Sequence, residues 1–141
     1  TRYKLVTGVQ TCALPIYVLD ALDRVTSRFG VTIECKHNPQ SETERAVIER
    51  TNGVVIWPFV VGYTILALRK MLGETEATPR VKGMCQDVAS NRADQIRRML
   101  VAQTRAMDQI GLYEWIDPET GRGYGSSAQG WSAALWVLCR D

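Results

Sequence analysis

Apolar side chains recur at helical spacing in four parts of the chain. Between Tyr17 and Phe29 they fall three or four positions apart, and Gly30 follows as a stop signal. A second helix is predicted to begin at Pro58, because proline is favoured at the first helical position, and to end at Gly73. Since apolar residues cover most of its circumference, we expect this helix to be buried on several sides.

The second half of the chain continues with long helices and loops. A helix is predicted from about Val81 to Ile110, ending at Gly111, and a last helix from Gly130 to about Cys139. The first of these has one apolar stripe, formed by Ile96, Met99, Leu100, Ala106 and Met107, and arginines that we expect on a solvated outer face, namely Arg92, Arg97, Arg98 and Arg105. Such an alternation of long helices and loops is typical of stacked helical hairpins.

The segments between these helices carry turn signals and charge. Residues 31–35 are predicted to be extended, and residues 36–50 to form a polar segment kept in water by its charges, among them Glu42, Glu44 and Arg45. Asn52-Gly53 is a turn signal, and residues 74–80 are predicted to be a loop. Residues 112–129 are dense in glycine and serine and contain an Asp-Pro pair, so we expect a short glycine-rich hairpin or loop there.

The first 16 residues do not share this organisation. Residues 6–16 read VTGVQTCALPI, which resembles the in-frame translation of a common sequencing-adapter oligonucleotide found at the ends of assembled environmental gene fragments. A glycine and a proline interrupt the segment, and it has neither helical nor alternating periodicity. We therefore exclude residues 1–16 from functional reasoning and expect the natural chain to have been cut at Tyr17. The alternative is a genuine edge strand over residues 4–9.

Composition narrows the possible chemistry. The chain has 141 residues, one domain at most, with a net charge of +2 that gives no reason to expect nucleic acid or an anionic membrane as a partner. No apolar run approaches the roughly 18 residues of a membrane-spanning helix. The four cysteines are widely spaced without a CxxC pair, and the only histidine is His37. Metal sites and histidine-based nucleophilic mechanisms are therefore poorly supported. We expect carboxylate chemistry without a cofactor or metal, in a cytoplasmic protein.

One carboxylate stands out by its neighbours. Glu114 lies between Tyr113 and Trp115, just after the long helix. We therefore expect its carboxylate to lie in the partly desolvated wall of a pocket, which suits proton transfer near neutral pH. Aromatic rings also stack on the C–H faces of sugars, so these two residues and Trp131 could form the walls of a pocket. The glycines allow a tight hairpin that brings Trp131 back beside Glu114. The alternative is a surface hairpin with an exposed glutamate and a core tryptophan.

Two motifs resemble those of a known group of enzymes. Residues 113–136, YEWIDPETGRGYGSSAQGWSAALW, resemble the C-terminal signature of the (α/α)6 six-hairpin glycosidases, which include family 63 glucosidases and mannosylglycerate hydrolases, family 37 trehalases, neutral invertases and amylo-α-1,6-glucosidases. Residues 52–59, NGVVIWPF, look like the element with which these enzymes enter a barrel helix. Family 63-like and amylo-α-1,6-glucosidase-like enzymes are the closer possibilities, and trehalase and neutral invertase follow.

The resemblance implies a fold and a set of roles. The chain would be mainly α, a partial (α/α)6 barrel of helical hairpins, with residues 17–141 forming the C-terminal part of the catalytic domain. Glu114 falls on the position of the general base of these inverting enzymes. Trp57 matches a residue that walls the sugar subsite, and the alternative for it is plain core packing. Trp131 and Gln129 match positions around the same pocket, where Gln129 is closer to debranching-type members than to family 63.

The resemblance also implies what is missing. Relatives carry the general acid upstream, and nothing here matches that motif, since Asp20 and Asp23 lie on the polar face of the first helix. We therefore expect the isolated chain to be inactive, to expose apolar surface where the N-terminal part of the barrel would pack, and to dissolve poorly. The partner of the intact enzyme would be a carbohydrate substrate. Two alternatives from other classes are a small helical protein-interaction domain and a carbohydrate-binding module without catalysis.

Overall fold

The computed structural model describes residues 18–34, 38–77 and 86–140, and within them the chain is mainly helical with three short antiparallel strand pairs. The helices are α1 (residues 18–24), α2 (Glu42–Arg50), α3 (Pro58–Ala77), α4 (Gln86–Ile110) and α5 (Gly130–Leu138). The strands are β1 (Thr26–Ser27), β2 (Gly30–Val31), β3 (Ile33–Glu34), β4 (Val54–Val55), β5 (Trp115–Ile116) and β6 (Gly123–Tyr124). The predicted mainly helical class, with a glycine-rich hairpin before the last helix, is confirmed.

Several predictions concern other parts of the chain. They lie outside the described residues. These are the adapter-like residues 6–16, the alternative edge strand at residues 4–9, His37, and the cysteines at positions 12, 35 and 85. The start of the long helix, predicted at Val81, lies there too, as does the side chain of Arg92. None of the helices in the described ranges is long and apolar enough to cross a membrane.

The core is built where α3 packs against α4 and α5. Apolar side chains of all three helices meet in one cluster, which includes Val61 and Ile65 of α3, Met107 and Ile110 of α4, and Leu135 of α5. Burial of each such side chain contributes roughly 1.5–3 kcal/mol relative to its exposure. The predicted burial of α3 on several sides holds only for the side that faces these helices, since Tyr63 is 57% exposed and Lys70 is exposed as well.

The apolar stripe predicted for α4 faces this core. Ile96, Met99, Ala106 and Met107 are buried and Leu100 is partly buried, whereas Arg97, Arg98 and Arg105 are exposed on the outer face, as predicted. Gly111 follows the helix with a φ of +67°, the left-handed conformation that commonly ends helices. Cys139 caps the end of α5, and its buried thiol donates to the Gly62 carbonyl oxygen at 3.4 Å, with burial raising the pKa of the thiol.

The first helix ends earlier than predicted. Its helical residues end at position 24 instead of Phe29, and the chain turns into the β1–β2 hairpin, in which Thr26 pairs with Val31. The buried Gln103 of α4 stabilises this hairpin, because its side-chain oxygen accepts from the Val31 N–H at 3.1 Å and its amide donates to the Thr26 hydroxyl at 3.3 Å. A contact from a distant helix thus overrides the local helical periodicity.

Helix α3 is longer than predicted. It continues past Gly73 to Ala77, so the first four residues of the predicted loop at residues 74–80 are helical. A Cβ placed on Gly73 would meet no atom within 4 Å among the residues that the structure describes, so no packing within them requires glycine there. Glycine costs about 1 kcal/mol in a helix, which is too little to end one that packing stabilises.

The second half of the polar segment predicted for residues 36–50 forms α2, a helix that was not predicted, although Glu42 and Arg45 are exposed as expected. Ser41 caps the helix by accepting the Glu44 N–H at 3.2 Å, and Val47 is buried against Val55 and Trp115. Glu44, expected in water, is buried as well. The sequence Ser41-Glu42-Thr43-Glu44 has the serine-to-glutamate spacing of a capping box, which is the local signal that could have predicted this helix.

Candidate functional site

The two sequence motifs meet through a pair of backbone hydrogen bonds. Ile56 and Ile116 form an antiparallel bridge, in which the Ile56 N–H donates to the Ile116 carbonyl at 3.0 Å and the Ile116 N–H donates to the Ile56 carbonyl at 2.8 Å. Trp57 directly follows the first partner, and Glu114 lies two residues before the second. The bridge therefore brings the start of α3 and the start of the β5–β6 hairpin to the same place.

The β5–β6 hairpin holds Glu114 at its open end. Trp115 pairs with Tyr124 and Ile116 with Gly123, and the Glu114 N–H continues the ladder by donating to the Ser126 carbonyl oxygen at 2.8 Å. Arg122 at the other end closes the turn, where its carbonyl oxygen accepts the Asp117 N–H at 2.9 Å. The hairpin predicted from the glycine-rich sequence is present.

The buried carboxylate of Asp117 organises the turn of the hairpin. Its oxygens accept the Glu119 N–H at 3.0 Å and the Thr120 hydroxyl at 2.6 Å. Arg50 at the end of α2 donates to the same carboxylate at 2.7 Å and also pairs with Glu119. The prediction that Asp117 caps the turn is therefore confirmed by its contacts.

Glu114 is partly buried: its exposure is intermediate between that of the exposed residues and that of the core residues of the hairpin. One of its carboxylate oxygens, Oε2, accepts the Ser126 N–H at 3.3 Å. Gly125 lies directly against it, since a Cβ on this residue would sit 2.6 Å from the same oxygen. A carboxylate offers about four acceptor positions. Ser126 is the one hydrogen-bond donor to it in the described part of the chain, so the arrangement leaves acceptor positions for a water molecule.

Trp57 and Trp115 belong to one aromatic cluster behind the hairpin. Trp115 stacks on Tyr124 with a centroid distance of 4.6 Å and is 1% exposed. The partly buried Trp57 packs against the same cluster and meets Phe59 edge to face at 5.3 Å. Because Trp115 is buried, a role in supporting the hairpin is favoured over the predicted direct contact of its ring with a sugar.

The remaining predicted residues lie where α5 begins. The Gln129 N–H donates to the Leu112 carbonyl oxygen at 2.9 Å, and the Ser132 hydroxyl donates to the Tyr113 carbonyl oxygen at 3.2 Å. These bonds hold the start of α5 against the residues that precede Glu114. Trp131, on the first turn of α5, is 69% exposed, and Tyr113 is exposed as well. Both rings are thus accessible to a ligand.

Two residues of α2 contact this region and were not among the sequence candidates. Glu44 accepts the Gly125 N–H at 3.3 Å, and Arg50 pairs with Asp117. The partners of these residues lie 81 and 67 positions away in the chain, so local sequence patterns carry no signal for them.

A family model for the mannosylglycerate hydrolase MGH1-like glycoside hydrolase domain matches residues 52–132, more than half of the chain. The chain belongs to this glycoside hydrolase family. The matched range begins at the first motif and extends through the hairpin into the first turn of α5, so both motifs and the bridge between them lie inside it. No curated protein and no solved structure matches the chain.

Proposed function

We propose that the intact protein is an inverting glycoside hydrolase that cleaves an α-glycosidic bond, with Glu114 as the general base. The observation that carries this proposal is the placement of Glu114, partly buried at the point where the two family motifs join through the Ile56–Ile116 bridge. The family membership supports a hydrolase over a protein-interaction domain or a binding module, because the matched range contains this carboxylate.

The proposed chemistry uses Glu114 to activate water. Its carboxylate takes a proton from a water molecule as the water attacks the anomeric carbon, on the face opposite the leaving group. A second carboxyl group, roughly 6.5–9.5 Å from the first, protonates the departing oxygen. We expect that acid upstream of the two motifs, in the N-terminal part of a complete (α/α)6 barrel. The hydrogen bond from Ser126 orients the base without occupying all of its acceptor positions.

The aromatic residues would hold the sugar ring. Trp131 and Tyr113 are exposed and could stack on its apolar face. Trp57 packs with Trp115 in the cluster behind the hairpin, and would support the wall of the subsite from there. Gln129 would lie at the same rim, next to Trp131. Trp115, which is buried, would keep the hairpin rigid from behind. A rigid support matters because a misplacement of about 1 Å can cost a hundredfold in rate.

We propose a small glucosylated or mannosylated metabolite, or an α-linked glucoside, as the substrate. The family takes its name from mannosylglycerate hydrolase, which supports a small charged leaving group such as glycerate as one candidate. The alternative within the same reaction class is an α-1,6-linked glucan end, for which the resemblance around Gln129 argues. A cytoplasmic location remains a prediction.

The test is a comparison of the enzyme from the intact gene with its Glu114→Gln variant on a panel of α-glucosides and α-mannosides, including mannosylglycerate. We expect kcat to fall by about 10²–10⁴-fold, the usual contribution of a positioned base. The first anomer released, followed by proton NMR, should be the β-anomer. Glu49→Gln, which changes an exposed carboxylate on α2, serves as the matched control and should retain activity.

Three outcomes would contradict the proposal. Near wild-type turnover of Glu114→Gln would show that Glu114 is not the general base. Early release of the α-anomer would show that the enzyme retains the anomeric configuration and does not invert it. Binding of sugars by the wild-type protein without any hydrolysis would indicate a carbohydrate-binding module. Thermal unfolding of both variants shows whether a loss of rate is merely a loss of fold.

A further inference from the structure

Glu44 is a buried carboxylate on a helix whose other acidic residues are exposed. Its side chain is 7% exposed, whereas Glu42 and Glu49 of the same helix face the solvent. Burial of a carboxylate is costly unless hydrogen bonds replace the lost water. The family match begins at residue 52 and so assigns no role to this position.

Both oxygens of Glu44 accept hydrogen bonds from the backbone. Oε2 accepts the Gln40 N–H at 2.7 Å, and Oε1 accepts the Gly125 N–H at 3.3 Å. These two bonds replace water at both carboxylate oxygens and tie the side chain to the backbone at Gln40 and Gly125.

The contact with Gly125 leads directly to Glu114. Gly125 has a φ of +69° and lies so close to the Glu114 carboxylate that a Cβ would come within 2.6 Å of Oε2. The next residue, Ser126, donates its N–H to that same oxygen at 3.3 Å. Two consecutive backbone N–H groups therefore connect the carboxylates: that of Gly125 donates to Glu44, and that of Ser126 donates to Glu114.

Helix α2 provides a firm base for this contact. Six residues beyond Glu44, Arg50 pairs with the buried Asp117 at the turn of the hairpin. Between them, Val47 packs against Trp115 in the cluster behind the hairpin. The helix thus supports the hairpin at its turn, in its middle and at its open end, where the carboxylate lies.

We propose that Glu44 is a positioning residue for Glu114, which acts by fixing the Gly125–Ser126 backbone that orients the general base. This inference rests on the proposed function for the chemistry that the oriented carboxylate performs. Loss of a positioning contact should lower kcat more than it changes KM, because substrate binding does not use Glu44 and the water-activating geometry does.

The test combines a structural and a kinetic measurement on Glu44→Gln, Glu44→Ala and the matched control Glu42→Gln. Amide hydrogen exchange at Gly125 and Ser126, measured in the 141-residue chain, should become about tenfold faster in Glu44→Ala and less so in Glu44→Gln, whose side-chain oxygen can still accept one N–H. In the enzyme from the intact gene, kcat should fall by about 10- to 100-fold with little change in KM. Glu42→Gln should alter neither measurement.

The two proposals fail in different ways. If Glu114→Gln abolishes turnover while Glu44→Ala leaves kcat and the exchange of both amides unchanged, the positioning role is refuted and the general base stands. If Glu44→Ala accelerates the exchange but Glu114→Gln retains activity, the contact is real and the proposed base is wrong. In the Glu114→Gln background the Glu44→Ala change should have no further effect on kcat, and an additive loss would contradict a role through Glu114.

Discussion

Gly125 meets two steric requirements at one position. Its φ of +69° is a conformation that residues with a Cβ rarely adopt, and the space a Cβ would need is occupied by the Glu114 carboxylate, 2.6 Å away. The predicted effect of Gly125→Ala is a loss of about 1–3 kcal/mol in the free energy of unfolding, measured by urea denaturation of the chain. In the intact enzyme the same change should reduce kcat, because Glu114 must move to make room.

Gly73 is the matched control for that substitution. It lies in α3, is exposed, and has open space where a Cβ would be placed. Gly73→Ala should therefore stabilise the chain by roughly 0.5–1 kcal/mol, since alanine is the better helix former. Equal effects of the two substitutions would show that the hairpin does not need glycine beside Glu114.

At the scale of elements, the contact between α3 and α5 depends on the absence of a side chain at Gly62. A Cβ there would lie 2.5 Å from the Cβ of Leu135, and this clash is between atoms fixed to two backbones, so no rotamer change relieves it. Gly62→Ala should destabilise the chain by about 1–3 kcal/mol, the usual cost of overpacking. Thermal unfolding measures it, with Gly130→Ala, which meets no atom within 4 Å, as the control. Identical midpoints for the two variants would contradict the close helix packing.

The elements that could be predicted from sequence are those whose boundaries have local causes. Helix α5 and the end of α4 follow from apolar periodicity and from Gly111, and the β5–β6 hairpin follows from its glycine-rich turn. The periodicity of residues 17–29 predicts too long a helix, because Gln103 stabilises a hairpin in its place from 72 and 77 positions away. The charges of α2 predict solvent exposure, whereas Glu44 is buried and its carboxylate accepts backbone N–H groups that only the folded chain brings to it.

At the scale of the whole molecule, the candidate site is assembled by contacts between distant segments. The sequence predicted Glu114 and its aromatic neighbours, since they are adjacent in the chain. It could not predict that Ile56 pairs with Ile116, nor that α2 supports the hairpin. These contacts arise from tertiary packing, for which a single sequence carries no periodic signal. The role of Glu114 is a prediction that the experiments above test, and the roles of Trp57, Gln129 and Trp131 remain predictions.

Helix α5 carries a stripe of exposed apolar residues that should determine how the chain behaves in solution. Trp131, Ala134 and Leu138 are exposed at positions three and four apart, hence on one face, and Val137 is exposed beside them. Exposed apolar surface of this kind marks a contact surface or an aggregation risk.

We expect the 141-residue chain to bind an apolar fluorescent dye and to self-associate as its concentration rises. Val137→Lys combined with Leu138→Lys should lower both dye fluorescence and sedimentation-derived mass, whereas Val101→Lys on α4 should change them less because it leaves the stripe intact. A chain that stays monomeric and dye-free at every concentration would show that this face of α5 needs no partner, against the expectation that further barrel helices pack there.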